Sequence, residues 1–143
     1  MDHIVYLDAR AKELDRIISG DKTMIIRGAE GRKMPYGRVN EGDVLYFLEN
    51  DGSGQVKAKA VVFSVLNSDK LDPQESANLI EANQSKLKLT PAQIKRWSGK
   101  RYLVLIEIDQ PVIQEPFGID KSDYGNMDDW LPVGDIKTVT ILT

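Results

Sequence analysis

The sequence predicts an α+β domain built on a curled, mostly antiparallel sheet or small barrel, with about five or six strands and two or three flanking helices. Three observations carry this. The β-favouring runs cluster and are joined by turn signals; they do not alternate one by one with helices. Two helix starts marked by a capping residue and a proline stand together in the middle of the chain. Finally, 143 residues with 41% hydrophobic content are enough for one sizeable core, so residues 1–143 are expected to form a single domain.

The elements follow in order. "HIVYL" (His3 to Leu7) is a short β-favouring run. Ala11, Leu14, Ile17 and Ile18 then recur at helical spacing until Gly20 supplies a C-terminal stop. "KTMIIR" reads as a strand, its β-branched Thr23, Ile25 and Ile26 lying between charged ends. "GAEGRKMPYGRVNEG" has no period and reads as a long loop, a kind of segment that is usually functional or mobile. "DVLYFLEN" and "QVKAKAVVFSVL" are strands joined across "NDGSG", where Asp51-Gly52 is a hairpin signal. Asp72, Pro73 and Glu75 form a capping-box start for one helix, and Thr90 and Pro91 repeat the logic for another. "RYLVLIEI" is the most apolar strand, the proline-containing stretch from Gln110 to Ile136 is expected to be irregular, and "KTVTIL" closes the chain as a strand.

Composition narrows the chemistry. With no cysteine and a single histidine, disulfides, thiol nucleophiles and Cys-ligated zinc are excluded, and no metal or other cofactor is expected. No apolar run reaches the ~20 residues needed to cross a bilayer, and "MDHIVYLDAR" lacks a signal-peptide pattern. A cytoplasmic location without membrane contact is therefore expected. The net charge of -3 argues against a general polyanion binder. It conceals an asymmetry, however. From Gly20 to Val39, the cations Lys22, Arg27, Arg32, Lys33 and Arg38 face only Asp21 and Glu30, whereas from Glu107 to Lys137 eight acids face two lysines. The basic part is local, as a site would be.

Gly20-x-Lys22 followed by Arg27, with an amphipathic helix before it and "VNEGDVLYF" after a loop, resembles the ASCH domain family, whose motif runs Gly-x-Lys-x-x-Glu-x-Arg. The similarity extends over most of the chain, including "RYLVLIEI", and "FGIDKSDYGNMDDWLPVGDI" looks like a tail found in some members. The resemblance implies a PUA-like β-barrel. It also marks a departure. Ile25 stands where the motif has glutamate, and where members that deacetylate N4-acetylcytidine have a threonine thought to be the nucleophile.

Side-chain alternation puts Lys22, Met24 and Ile26 on one face of a strand and Thr23, Ile25 and Arg27 on the other, so a bulge or strand end must intervene for Lys22 and Arg27 to converge. Converged, an ammonium and a guanidinium fork suit a phosphate or a base edge. Arg32, Lys33 and Arg38 could close over the same ligand, with Tyr36 as a stacking face. The plain alternative is that these cations cap strand ends and pair with nearby acids. Asp123, Asp128 and Asp129 have no calcium-loop spacing and read better as a solvated acidic loop. Trp130 reads as packing for the tail. Lys100 and Arg101 start a strand after the Ser98-Gly99 turn and need no further role. Ser19 and Ser98 have hydroxyls but no histidine partner, since His3 lies in the first strand.

The expected function is RNA or modified-nucleoside binding in a basic cleft through Lys22 and Arg27, with Arg32, Lys33, Tyr36 and Arg38 in support. A small amide hydrolase or ribonuclease using Lys22 as base with Glu75 or Glu81 is the alternative, and an interaction domain without a cleft is the third. Binding is favoured over catalysis, and the activity is left open.

Overall fold

The structure, a computed structural model, describes residues 1–124 and 129–141, apart from the side chain of Asp123. Strand β1 (Asp2–Leu7) leads to helix α1 (Glu13–Ser19), then β2 (Met24–Ala29), β3 (Val44–Glu49) and β4 (Gln55–Asn67). Helices α2 (Pro73–Ala82), α3 (Gln84–Leu87) and α4 (Pro91–Trp97) follow, and then β5 (Tyr102–Ile119), β6 (Trp130–Gly134) and β7 (Thr140–Ile141). The strands form one sheet in the order β2-β5-β4-β3-β1-β6, with β7 on β5. All ladders among the described residues are antiparallel except β1 on β3, so the expected α+β fold is found as a half-barrel.

Local chemistry sets the helix ends. Gly20 ends α1 with φ of 83°, a left-handed conformation that costs glycine little, and its N–H donates to Ile17. Asp72 and Thr90 each accept from the backbone of the third helical residue while Glu75 and Gln93 reach back, two complete capping boxes stabilising by about 1 kcal/mol each.

Three bulges curl the long β4–β5 pair. Gln110 and Pro111 lie between the pairs Val61↔Asp109 and Lys59↔Val112, and Pro116 lies between Ala58↔Ile113 and Val56↔Phe117. A proline lacks the ladder N–H, so a bulge is where a strand tolerates it. The stretch after Asp109 therefore continues β5 to Ile119, where the sequence suggested irregular chain. The closing "KTVTIL" also differs: Ile136–Thr138 is a 3-10 turn, with Asp135 accepting from Lys137 N–H, and only Thr140–Ile141 remains as strand.

The inner face of the sheet carries Val5, Ile25, Phe47, Val104, Ile106 and Trp130, closed by Leu14 and Ile17 of α1. The outer face of β2 and β5 packs Met24, Ile26, Leu103 and Leu105 against Ile80, Leu87 and Trp97 of the helices. The alternation of β2 thus separates two cores and sends Ile25 and Arg27 to the same inner side. No ladder joins β2 to β6 among the described residues; the seam between the first and last strands of the sheet is where the site lies.

Candidate ligand-binding cleft

Arg27 bridges that seam with its side chain. Its Nη2 donates to the carbonyl of Tyr6 in β1 at 2.7 Å, and Nη1 donates to the carbonyl of Ile26 at 2.8 Å. The guanidinium also lies 5.6 Å from the centre of the Trp130 ring, on β6. Only 7% of Arg27 is exposed. Its Nε lies 3.3 Å from Oδ2 of Asp129, but the N–H is not directed at that oxygen and is buried without a hydrogen-bond acceptor among the described residues.

Beside Arg27 is a cleft of about 130 Å³, walled by Tyr6 and Asp8 at the end of β1, Glu13 of α1, Asn50 after β3, Asp129, and Gln93, Arg96 and Trp97 of α4. It shares Tyr6, Asn50 and Asp129 with an open groove of about 460 Å³ that runs past Gly52, Gly54 and Lys121. Arg96 stacks on Trp97 at 4.3 Å, which orients its guanidinium, and its Nη2 lies 3.8 Å from the same Oδ2 of Asp129.

The amide side chains in the wall are held by their oxygens. Gln93 Oε1 accepts from Thr90 N–H at 3.0 Å, and Asn50 Oδ1 accepts from Ala9 N–H at 2.8 Å. Their NH₂ groups have no hydrogen bond within the described residues, and both amides are fixed with donors left over. The carboxylates are engaged: Asp8 Oδ1 accepts from Arg10 and Ala11, and Glu13 Oε1 accepts from Asp8 N–H at 2.8 Å.

Lys22 lies behind this wall and does not line it. It precedes β2 and is 1% exposed; its ammonium donates to the carbonyl of Leu87 and lies 3.3 Å from Glu13 Oε2. Burial pushes its pKa below the ordinary lysine range; Glu13 works against that shift, and the charges of Arg27 and Arg16 add to it. The partner of this lysine is Glu13, not Glu75, which caps α2, nor Glu81. The strand end anticipated between Lys22 and Arg27 is present, and Glu13 stands between the buried ammonium and the cleft.

The loop residues are gathered elsewhere. Arg32 is exposed and lies 5.6 Å from the rings of both Tyr36 and Tyr102. Tyr36 donates its hydroxyl to the carbonyl of Ser68 at 2.6 Å and meets Tyr102 edge to face, so its ring serves packing. Lys33 and Arg38 are exposed, Lys33 beside a shallow hollow that also touches Arg27. Of the sequence-derived candidates, Arg27 alone borders the cleft; Lys33 and Tyr36 meet Arg27 at the separate hollow, and Arg32 joins them there through the Tyr36 ring.

Glu13, Gln93, Arg96, Trp97 and Asp129 were not signalled as site residues by sequence. Only the Thr90 capping box, which orients α4, offered a clue. Of the acidic loop, Asp129 is an ion-pair partner, while Asp128 and the side chain of Asp123 lie outside the described residues. No group of three metal-ligating side chains occurs among the described residues, and no helix there is long and apolar enough to cross a membrane.

No protein-family model matches the sequence, and no curated protein sequence does. Solved structures do resemble it. The ASCH protein of Zymomonas mobilis matches with a TM-score of 0.68 and 15% identity, covering 96% of this chain and 90% of that one. Two single-substitution variants of that protein give 0.68 at 14% identity over 96% of this chain, covering 93% and 91% of theirs. At that identity the likeness concerns architecture, and together with the strand order it gives the conclusion: this chain has the ASCH-like, PUA-like α+β fold.

Proposed function

We propose that the chain binds RNA or a nucleoside-like small molecule, with one base in the cleft beside Arg27 and the rest of the ligand along the adjoining groove. The observation that carries this reading is the pair of fixed amides, Gln93 and Asn50, whose oxygens are tied to backbone N–H groups while their NH₂ donors remain. Fixed donors at a concave wall suit carbonyl and ring-nitrogen acceptors of a heterocycle, and Tyr6 and Trp97 add aromatic surface. The cleft of about 130 Å³ is below the ~300 Å³ at which whole-ligand pockets begin, so it suits a fragment the size of a base. Lys33 borders a hollow that also touches Arg27, Arg32 lies over the Tyr36 ring of that hollow, and with the exposed Arg38 these cations would strengthen association with a polyanion, which is where the basic segment of the sequence enters.

The test is titration of the protein with nucleosides and with short single-stranded RNA, followed by the fluorescence of its two tryptophans. Micromolar binding is expected, with a salt slope near -0.7 per contacted phosphate for RNA. Arg32→Glu with Lys33→Glu should flatten that slope and leave the melting temperature nearly unchanged. Gln93→Ala should weaken binding of the free nucleoside about tenfold, the loss of one directed hydrogen bond or more. Binding of neither probe by the intact protein would overturn the reading.

A further inference from the structure

We propose that the space between the Arg27 and Arg96 guanidiniums is an oxyanion subsite, occupied here by the carboxylate of Asp129 and built to take a phosphate group of the ligand in its place. This rests on the reading above and adds to it the charge of what binds.

A single oxygen of Asp129 serves both arginines. Oδ2 lies 3.3 Å from Arg27 Nε and 3.8 Å from Arg96 Nη2, and neither contact has hydrogen-bond geometry. The result is a buried Nε–H with no hydrogen-bond acceptor among the described residues, in a side chain whose other two nitrogens are held by backbone carbonyls and cannot turn to find one. An unmade hydrogen bond at a buried donor is costly, and such a donor at the wall of a cleft indicates an acceptor still to come. A planar carboxylate places two oxygens in one plane. A tetrahedral phosphate can direct separate oxygens at Nε of one arginine and Nη2 of the other, which is the recognition that guanidinium pairs favour.

Both arginines are set in advance, Arg27 by Tyr6, Ile26 and Trp130, Arg96 by its stacking on Trp97. Asp129 is set differently. Its carbonyl accepts from Tyr6 N–H at 2.9 Å, which holds its backbone, while its side chain is 43% exposed and free to rotate into solvent. Displacing it therefore leaves the backbone connection intact. Asp129 then acts as a competitor for the subsite: a neutral ligand leaves it in place, and a phosphate must exchange with it.

The phosphate has two sources, the monoester of a free nucleotide or a diester of the RNA backbone. The experiment compares affinities for a nucleoside, its 5′-monophosphate, a dinucleotide and inorganic phosphate at constant ionic strength, in the wild type, Asp129→Asn and Arg96→Ala. Arg96 is exposed, so its alanine variant retains the fold. The ratio of monophosphate to nucleoside affinity should rise about tenfold in Asp129→Asn, as removal of one carboxylate facing two guanidiniums implies, and fall to near one in Arg96→Ala. A dinucleotide preferred to the monophosphate assigns the backbone diester; the reverse assigns the free monoester. A ratio unchanged in both variants overturns the subsite even if the nucleoside binds. If no nucleoside binds but inorganic phosphate binds Asp129→Asn more tightly than the wild type, the subsite stands and the base-binding reading falls.

Discussion

Trp130 donates its indole N–H to Nδ1 of His3 across 3.1 Å, joining residues 127 positions apart in a fully buried contact. An indole nitrogen can only donate, so Nδ1 must be bare and the ring must be neutral with its proton on Nε2. That proton goes to Asp43 Oδ2 at 2.7 Å, an oxygen that also accepts from Asn40 N–H. One relay therefore connects β6, β1 and the end of the basic loop. Trp130→Phe should cost about 1–3 kcal/mol for the orphaned acceptor alone, read by urea unfolding. Nitrogen NMR of the wild type should show the Nε2–H tautomer; the Nδ1–H form would contradict the relay.

The buried pair Lys22–Glu13 gives a pH dependence with a definite sign. The unfolded chain holds the Lys22 proton up to the ordinary value of 10.5, and the folded chain releases it at lower pH because burial disfavours the ammonium. Between those two values the unfolded state binds more protons, so the stability this group contributes rises with pH. Relative to Lys22→Met with Glu13→Gln, the wild type should gain stability as pH climbs from neutral into the alkaline range. The double variant itself should be near wild type at neutral pH, whereas Glu13→Gln alone should cost about 3–5 kcal/mol by leaving a buried ammonium unpaired. Denaturant titrations at several pH values measure both effects.

Gly28 is fixed by space. A Cβ there would lie 2.7 Å from Leu103 Cδ2 and 3.3 Å from Lys100 Cβ, and Leu103 is fully buried against the helices. Gly28→Ala should therefore destabilise by about 1–3 kcal/mol, with part of the loss recovered when Leu103 is shortened to valine. Calorimetry of the single and double variants checks the coupling.

Ile25 is completely buried on the inner core face, where it can neither attack a carbonyl nor relay a proton. Incubation with N4-acetylcytidine should release no cytidine by chromatography. Release that disappears in the double variant Lys22→Met with Glu13→Gln, which keeps near wild-type stability, would establish the hydrolase alternative.

How far the sequence could be read depends on the range of each interaction. The Gly20 stop, the boxes at Asp72 and Thr90, and the Asp51-Gly52 turn are decided within a few residues, and all are where the sequence placed them. Lys22 was legible as special but not as buried, because its partner Glu13 becomes a neighbour only when α1 folds back onto β2. Asp129 looked like part of a solvated acidic run since nothing local reveals that β6 brings it to Arg27. Pro111 and Pro116 argued for irregular chain because bulges depend on the opposing strand.

The position of β1 has a consequence for synthesis. It pairs with β3 on one side and β6 on the other, so β1 acquires its second neighbour only when Trp130–Gly134 has been made. At ribosomal rates of roughly 5–20 residues per second, that is a wait on the order of ten seconds. Throughout it, Ile4, Val5 and Leu7, all buried in the finished fold, lack their full cover. The cleft, whose wall needs both the Tyr6 carbonyl and Asp129, can then form only after that wait.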